Sequence, residues 1–157
     1  MTTRILRATA LVPTATLAAI LVCVGVGRAH EAHLHFSAGQ PGDPKKSART
    51  IRVVMREMQF EPSRIEVRRG EQVRFVLQNV GTESHEFVLA TTEENREHEE
   101  MMRKFPNMEH DDPNAKRVRV SHTAELLWAF TKPGAFEFAC LIPNHREYGM
   151  VGTVVVK

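Results

Sequence analysis

The chain has 157 residues, of which 42% are hydrophobic and 25% are charged. This length and composition suit one domain with a hydrophobic core. Three of the 21 basic residues lie within the first 28 residues, so the remainder of the chain is close to neutral against 19 acidic residues. Nucleic-acid binding is therefore disfavoured, because it needs a clustered basic face.

Residues 1–29 have the pattern of a secretory signal peptide. Two arginines precede an almost wholly apolar run over Ala8–Val26, and Gly27 and Ala29 are small residues at the two positions that signal peptidase recognises. We expect cleavage between Ala29 and His30, and hence a periplasmic protein without stable membrane insertion. A retained membrane anchor is the alternative.

One of the two cysteines lies in the predicted leader and the other in the mature chain. Cys23 would leave with the leader, and Val22 before it disfavours a lipoprotein anchor at that position. Cys140 would then be the only thiol of the mature chain, which excludes an internal disulfide. A lone thiol in an oxidising compartment is a liability unless a metal occupies it.

Residues 30–48 are predicted to form a flexible, histidine-containing tail. Three histidines open this segment, and glycine, proline, serine and charged residues dominate the rest of it. The amine and imidazole of His30, together with His33 and His35, form a good chelate for copper(II). A solvated polar tail is the alternative.

From Arg49 onward, apolar residues alternate with polar ones, which predicts β-strands. We expect seven or so short strands in an antiparallel β-sandwich over residues 49–157. The inward faces of the predicted strands carry Ile51, Val53 and Met55; Ile65 and Val67; Val73, Phe75 and Leu77; His85, Phe87 and Leu89; Leu126, Trp128 and Phe130; Phe136, Phe138 and Cys140; and the apolar residues of Val151–Lys157.

Residues 91–105 break the strand pattern. Beyond Thr92 the segment has no β-branched residue and is rich in helix formers. Acidic residues come early and basic residues late, which suits the helix dipole. We predict one inserted helix over Thr91–Phe105, followed by an acidic loop over Pro106–Ala115.

The segment from Cys140 to Met150 carries the chemistry. It offers a thiolate, the His145 imidazole and a thioether between two predicted strands, while a second imidazole, His85, begins the core side of a distant strand. Each residue alone suits an ordinary core or surface position. As a set they are the donors of a mononuclear blue copper centre, which serves both oxidation states with little rearrangement. The predicted ligands are His85, Cys140, His145 and Met150.

These residues carry a resemblance to the cupredoxins, the blue copper proteins. Its motif is Cys-x4-His-x4-Met from Cys140, after a Gly-x-Phe-x-Phe strand and with Ser-His-Glu-Phe at Ser84–Phe87 upstream. The segments Met58–Pro62 and Met108–Asn114 resemble the periplasmic, copper-tolerance-associated branch. The resemblance implies a Greek-key β-sandwich over residues 49–157, with one type 1 copper held by the four predicted ligands.

Two features depart from the family pattern. Several members have Asn after the first histidine ligand, where this chain has Glu86. Arg146 and Glu147 place charge beside His145, where many electron carriers show an apolar docking patch.

Enzymes of related fold are disfavoured. A binuclear copper-A centre needs two cysteines in the loop, and a multicopper oxidase needs His-Cys-His clusters and several domains. Zinc would accept the two histidines and Cys140, but Met150 is a poor zinc ligand. We therefore expect no enzymatic activity.

Two hypotheses for function remain. The first is an exported carrier of single electrons, with an unidentified redox partner or copper-handling protein. The second is a copper-tolerance protein that binds or buffers excess copper, using additional weakly bound copper at the tail and at a cluster of thioethers and imidazoles. Packing of the methionines in the core is the competing explanation. The cluster comprises His98, Met101, Met102, Met108 and His110, with Met55 and Met58 elsewhere in the sequence.

Overall fold

The computed structural model of the chain describes residues 36–105 and 112–157. The predicted leader, the three histidines of residues 30–35, Met108 and His110 lie outside the described residues. Within the described ranges, no helix is long and apolar enough to cross a membrane.

Two five-stranded sheets pack as a Greek-key β-sandwich with one inserted helix. The first sheet has the order β1-β8-β5-β2-β3 and the second the order β4-β10-β9-β6-β7. The elements are β1 Gln40–Pro41, β2 Arg49–Arg56, β3 Gln59–Glu61, β4 Arg64–Val67, β5 Gln72–Asn79, β6 His85–Ala90, α1 Thr92–Lys104, β7 Ala115–Val118, β8 Thr123–Ala129, β9 Gly134–Ala139 and β10 Val151–Val156.

The predicted all-β fold and its seven predicted strands are confirmed, and the structure adds β1, β3 and β7. The antiparallel prediction is wrong for two pairs, since β2 pairs with β5 and β4 pairs with β10 in parallel. Parallel neighbours need a crossover connection. Here the chain forms at least one strand of the other sheet between the two paired strands.

The core lies between the sheets and is rich in phenylalanine. Phe87 stacks on Phe138 with ring centroids 5.0 Å apart, and Phe60 meets Phe138 edge-on at 5.2 Å. All three rings are buried. Such aromatic contacts stabilise beyond their buried area, and they give β6 and β9, the strands that carry His85 and precede Cys140, a rigid backing.

The prediction of a flexible tail is wrong for residues 36–41. Ala38 is fully buried, and its carbonyl accepts a hydrogen bond from the indole N–H of Trp128 at 3.1 Å. Phe36 contacts the same indole edge-on at 5.3 Å, and β1 pairs with β8. Gly39, at φ +134°, lies so close to the Ala129 carbonyl that a Cβ would collide with it. The polar composition of this segment led to the wrong prediction, because two of its apolar residues, Phe36 and Ala38, pack against Trp128.

The predicted helix is confirmed as α1. Thr91 is the N-cap and forms a capping box with Glu94, each side chain satisfying a backbone N–H of the other residue. Acidic residues occupy the first turn and basic ones the last, as the helix dipole favours. The buried face of the helix includes Asn95 and Glu99 as well as Met102, so polar contacts contribute to the attachment of α1 to the sandwich.

Candidate metal centre

The predicted ligands lie together at one end of the sandwich. His85 is the first residue of β6, and Cys140 directly follows β9, which is the antiparallel neighbour of β6. The loop after Cys140 folds back through a bond from the His145 N–H to the Ile142 carbonyl at 3.0 Å. The Cys140 N–H then donates to the Met150 carbonyl at 3.1 Å, which closes the loop onto its own start.

Three donor atoms converge in this pocket. The Nδ1 atoms of His85 and His145 lie 3.3 Å apart, and the Cys140 Sγ lies 3.3 Å from the His145 Nδ1. All three donors lie within 4.8 Å of one another. Their side chains are buried, and Met150 beside them is buried as well. The structure therefore brings all four predicted residues to one loop cluster and aims the inner nitrogens of both imidazoles at one point.

The thiol of Cys140 is buried, with backbone N–H groups as well as the His145 ring near its sulfur. Burial raises the pKa of the thiol to about 12. The N–H of Glu86 donates to Sγ at 3.2 Å and partly offsets this rise. Because this donor is a backbone group, it does not depend on the side chain at position 86. The Glu86 carboxylate instead lies 3.6 Å from Arg117. A thiolate at this depth needs a bound cation.

The uncharged form of the His85 imidazole is also favoured. Burial, and then the neighbouring His145, lower the pKa of His85. Two nitrogens that bind one ion at about 2.0–2.1 Å each stand roughly 3.3–3.6 Å apart at angles between tetrahedral and trigonal, a range that includes the observed 3.3 Å. Two imidazole nitrogens and a sulfur in one buried pocket, with a thioether nearby, form a donor set that fits copper.

Carboxylates face the outer nitrogens of both imidazoles. Oε2 of Glu83 lies 3.2 Å from the His145 Nε2, and Oε1 of Glu57 lies 3.6 Å from the His85 Nε2. The second distance is too long for a hydrogen bond, and the His85 Nε2 has no hydrogen-bond partner among the described residues. Sequence analysis missed both acids, because Glu57 lies far from His85 along the chain and Glu83 lies in a segment that resembled an ordinary turn.

A buried ion cluster attaches the ligand loop to the helix. The Arg146 guanidinium contacts the Glu137 carboxylate through Nε at 3.0 Å and a terminal nitrogen at 3.3 Å, and reaches Glu99 on α1 at 3.3 Å. The hydrogen bond to Glu137 is the main cause of the raised pKa of Arg146. Asn95 also donates to Glu137, at 3.2 Å. The charge beside His145 is thus largely internal, with the Arg146 side chain only 16% exposed.

The methionines predicted to bind additional copper have different surroundings. Met55 is fully buried in the core, and Met102 is buried as well. Met101 is 49% exposed, so it lies on a different side of α1 from Met102. The proposed partners Met108 and His110 lie outside the described residues, and the auxiliary sites stay a prediction.

Comparison with known proteins identifies the class. Residues 48–157 match the family of copper binding proteins of the plastocyanin/azurin type. The chain belongs to this family, the cupredoxins, and its buried His-Cys-His cluster is a type 1 copper site.

Two relatives narrow the placement within the family. The chain is 54% identical over 136 residues to the copper-resistant cuproprotein CopI of Rubrivivax gelatinosus, covering 83% of this chain and 82% of the relative. It is 35% identical to the CopI of Pseudomonas aeruginosa, covering 92% and 98%. The predicted placement in the copper-tolerance-associated branch of the cupredoxins is confirmed.

Solved structures agree on the fold. Auracyanin B superposes with a TM-score of 0.64 at 19% identity, covering 76% of this chain and 96% of its own. Reduced auracyanin from Roseiflexus castenholzii gives a TM-score of 0.61 at 18% identity, covering 71% and 99%.

Proposed function

We propose that His85, Cys140, His145 and Met150 hold one type 1 copper. The observation that carries this assignment is the convergence of two inner imidazole nitrogens and the Cys140 sulfur in one buried pocket. Met150 is the fourth ligand, a weak axial thioether. It is buried, and its backbone N–H donates to the His145 carbonyl at 3.0 Å, which fixes it beside the other ligands.

We propose that the protein is an exported copper-tolerance protein whose type 1 centre transfers single electrons. The similarity to proteins named copper-resistant cuproprotein over most of both chains supports the tolerance role. The predicted leader supports a periplasmic location. A redox partner or another copper-handling protein, rather than a substrate to be converted, would meet the centre, so the protein acts as a carrier and not as an enzyme.

Copper, when bound, supplies the change between its monovalent and divalent states. The residues of this chain limit the rearrangement that accompanies the change. The Cys140–Met150 loop is closed by its own backbone hydrogen bonds, and the aromatic core supports the strands on either side of the site. A rigid scaffold holds such a geometry well.

Buffering of excess copper is the second candidate. The relatives' names, which speak of copper resistance, fit it, and the exposed Met101 offers a soft thioether at the surface. In this case the chain would hold more than one copper. The additional copper would be lost when the histidines of residues 30–35 or the segment 101–110 are altered.

An absorption spectrum with metal counting tests the main site. The mature chain loaded with copper(II) should show an intense visible thiolate-to-copper band, and Cys140→Ser should abolish it. Met55→Leu, at a buried core methionine that is not one of the four predicted ligands, is the matched control and should keep the band. A colourless wild-type protein at one bound copper per chain would contradict the assignment.

A further inference from the structure

The outer nitrogens of the two histidine ligands share a feature that the ligand set does not require. Each outer nitrogen, Nε2, lies close to a carboxylate oxygen. The distance is 3.2 Å from the His145 Nε2 to Glu83 and 3.6 Å from the His85 Nε2 to Glu57. The inner nitrogens of the same rings face each other at 3.3 Å. The two rings are therefore placed alike, with the acid on the outside and the metal pocket on the inside.

The Glu57 carboxylate also builds the loop that carries Glu83. Its Oε1 accepts hydrogen bonds from the N–H groups of Thr82, at 2.5 Å, and Glu83, at 3.0 Å, and lies 3.2 Å from the Thr82 hydroxyl. The Thr82 N–H is the main cause of the lowered pKa of Glu57, about 2. A Cβ at Gly81 would overlap this carboxylate, so a larger residue there would have to displace the Glu57 side chain.

The loop is held from the other side by Asn79, which is buried. Its amide nitrogen donates to the Glu83 carbonyl at 2.7 Å and to the Val118 carbonyl at 3.0 Å. Its oxygen accepts from the Gly81 N–H at 2.9 Å. The backbone of Glu83 is thus fixed at both its N–H and its carbonyl, although the carboxylate itself is 57% exposed.

We propose that Glu57 and Glu83 are positioning residues that keep the imidazole protons of His85 and His145 on Nε2, Glu83 within hydrogen-bonding distance of His145 and Glu57 through its negative charge, 3.6 Å from the His85 Nε2. The Nδ1 lone pairs of both rings are then free to face the metal pocket. A carboxylate on the outer nitrogen of a ligating histidine fixes the tautomer and the ring orientation and raises the basicity of the ligand. This inference rests on the proposed function, because it assigns Nδ1 of both rings to copper.

The same acids act on the redox balance of the site. An anion beside a ligating imidazole makes the ring a better donor, which favours copper(II) over copper(I). Removing either negative charge is therefore expected to shift the reduction potential upward. A carboxylate that served only to hold the loop would not produce this shift when the loop is kept intact.

Nitrogen NMR of the copper-free mature chain tests the tautomers directly. At one pH where the histidines are neutral, both rings of the wild-type protein should show the Nε2–H form. In Glu83→Ala, the Nδ1–H form of His145 should appear while His85 keeps its wild-type signals. A wild-type His145 mainly in the Nδ1–H form, or unchanged His145 signals in Glu83→Ala, would overturn the proposal for this pair.

Glu57→Gln separates charge from loop support, because the amide oxygen still accepts from Thr82 and Glu83. Hydrogen exchange of those two N–H groups should stay at wild-type rates while the reduction potential rises. An unchanged potential with an intact loop would show that Glu57 is only structural.

Glu125→Ala is the matched control for both variants. Glu125 is an exposed acid on β8 that pairs with Arg74 at 2.7 Å, outside the site. It should change neither the histidine signals nor the potential. Absence of the visible band in the copper-loaded wild-type protein would contradict the copper assignment, whereas the NMR result concerns only the two acids.

Discussion

At the scale of single residues, Cys140 shows how the fold sets the chemistry of one atom. The side chain is fully buried, and the backbone N–H groups of Glu86 and Ile142 donate to its sulfur. Burial disfavours the charged form of a thiol, so the copper-free protein holds a neutral thiol where the copper protein needs a thiolate. Copper binding must therefore displace a proton from this site, and the protein protects the thiol from reaction until it does.

The raised pKa of Cys140 predicts a loss of stability in alkali for the copper-free protein. The thiol keeps its proton up to about pH 12 in the folded chain, against an ordinary value of 9.0. Between these values the unfolded chain binds fewer protons, so the free energy of unfolding falls as the pH rises. The slope from this residue is at most about 1.4 kcal/mol per pH unit.

Urea denaturation of the copper-free protein at several values between pH 9 and pH 11 measures this effect. Cys140→Ala should lack the extra slope, and its stability should decline less than that of the wild-type protein across the same range. Equal slopes for the two proteins would mean that the thiol ionises readily in the folded state.

At the scale of elements, α1 is more than an insertion between β6 and β7. Its Glu99 contacts Arg146 of the ligand loop, and the same guanidinium contacts Glu137 on β9. Arg103 near the end of the helix also contacts Glu147 of the loop. Helix, loop and strand are therefore joined around one buried guanidinium, directly beside a ligand residue.

Arg146→Met is expected to destabilise the protein by about 3–5 kcal/mol, because the largely buried Glu137 loses its cation and Glu99 keeps only the longer contact with Arg103 at 3.6 Å. The methionine keeps much of the apolar stem, so the lost charge dominates. Urea denaturation measures the change, and the visible band of the copper form should shift as the loop loosens. Adding Glu99→Gln and Glu137→Gln should restore part of the lost stability.

Arg96→Met on the same helix is the control for this experiment. Arg96 is exposed and pairs with Glu93 at 3.6 Å, a contact of a kind worth less than about 1 kcal/mol. A loss for Arg146→Met as small as that of this control would show that the cluster is well solvated and does not brace the loop.

At the scale of the whole molecule, residues 36–41 act as a strap across one edge of the sandwich. Phe36 and Ala38 cover Trp128, and β1 extends the first sheet by pairing with β8. The sandwich therefore begins before Arg49. Trp128 is the single tryptophan of the chain, which makes its fluorescence a direct probe of this contact.

Phe36→Ala should lower the free energy of unfolding by about 1–3 kcal/mol, less than for a fully buried phenylalanine because the ring is only partly covered. The Trp128 emission should shift to longer wavelength as water reaches the indole. Phe105→Ala removes a ring that is 55% exposed and should leave both measurements near wild type. Equal free energies of unfolding and equal Trp128 emission for the two variants would contradict the role of residues 36–41 as a strap.

Much of the fold and the core of the site followed from local pattern. Alternation placed His85 and Cys140 on inward faces, and Thr91 with Glu94 and the ordered charges marked the start and direction of α1. The loop from Cys140 to Met150 identified the donor types by itself. These signals are local because side-chain period and capping depend only on near neighbours along the chain.

The tertiary structure decided what each polar residue outside the ligand set does. Arg146 is surrounded because Glu99, 47 positions away, comes to it from α1. Glu57 supports the loop before His85 because the β2–β3 turn meets the β5–β6 loop. The sequence by itself determined the elements and the identity of the donors. Contacts between distant segments decided which charged residues pair inside the protein. The spacing of residues along the chain does not predict such contacts.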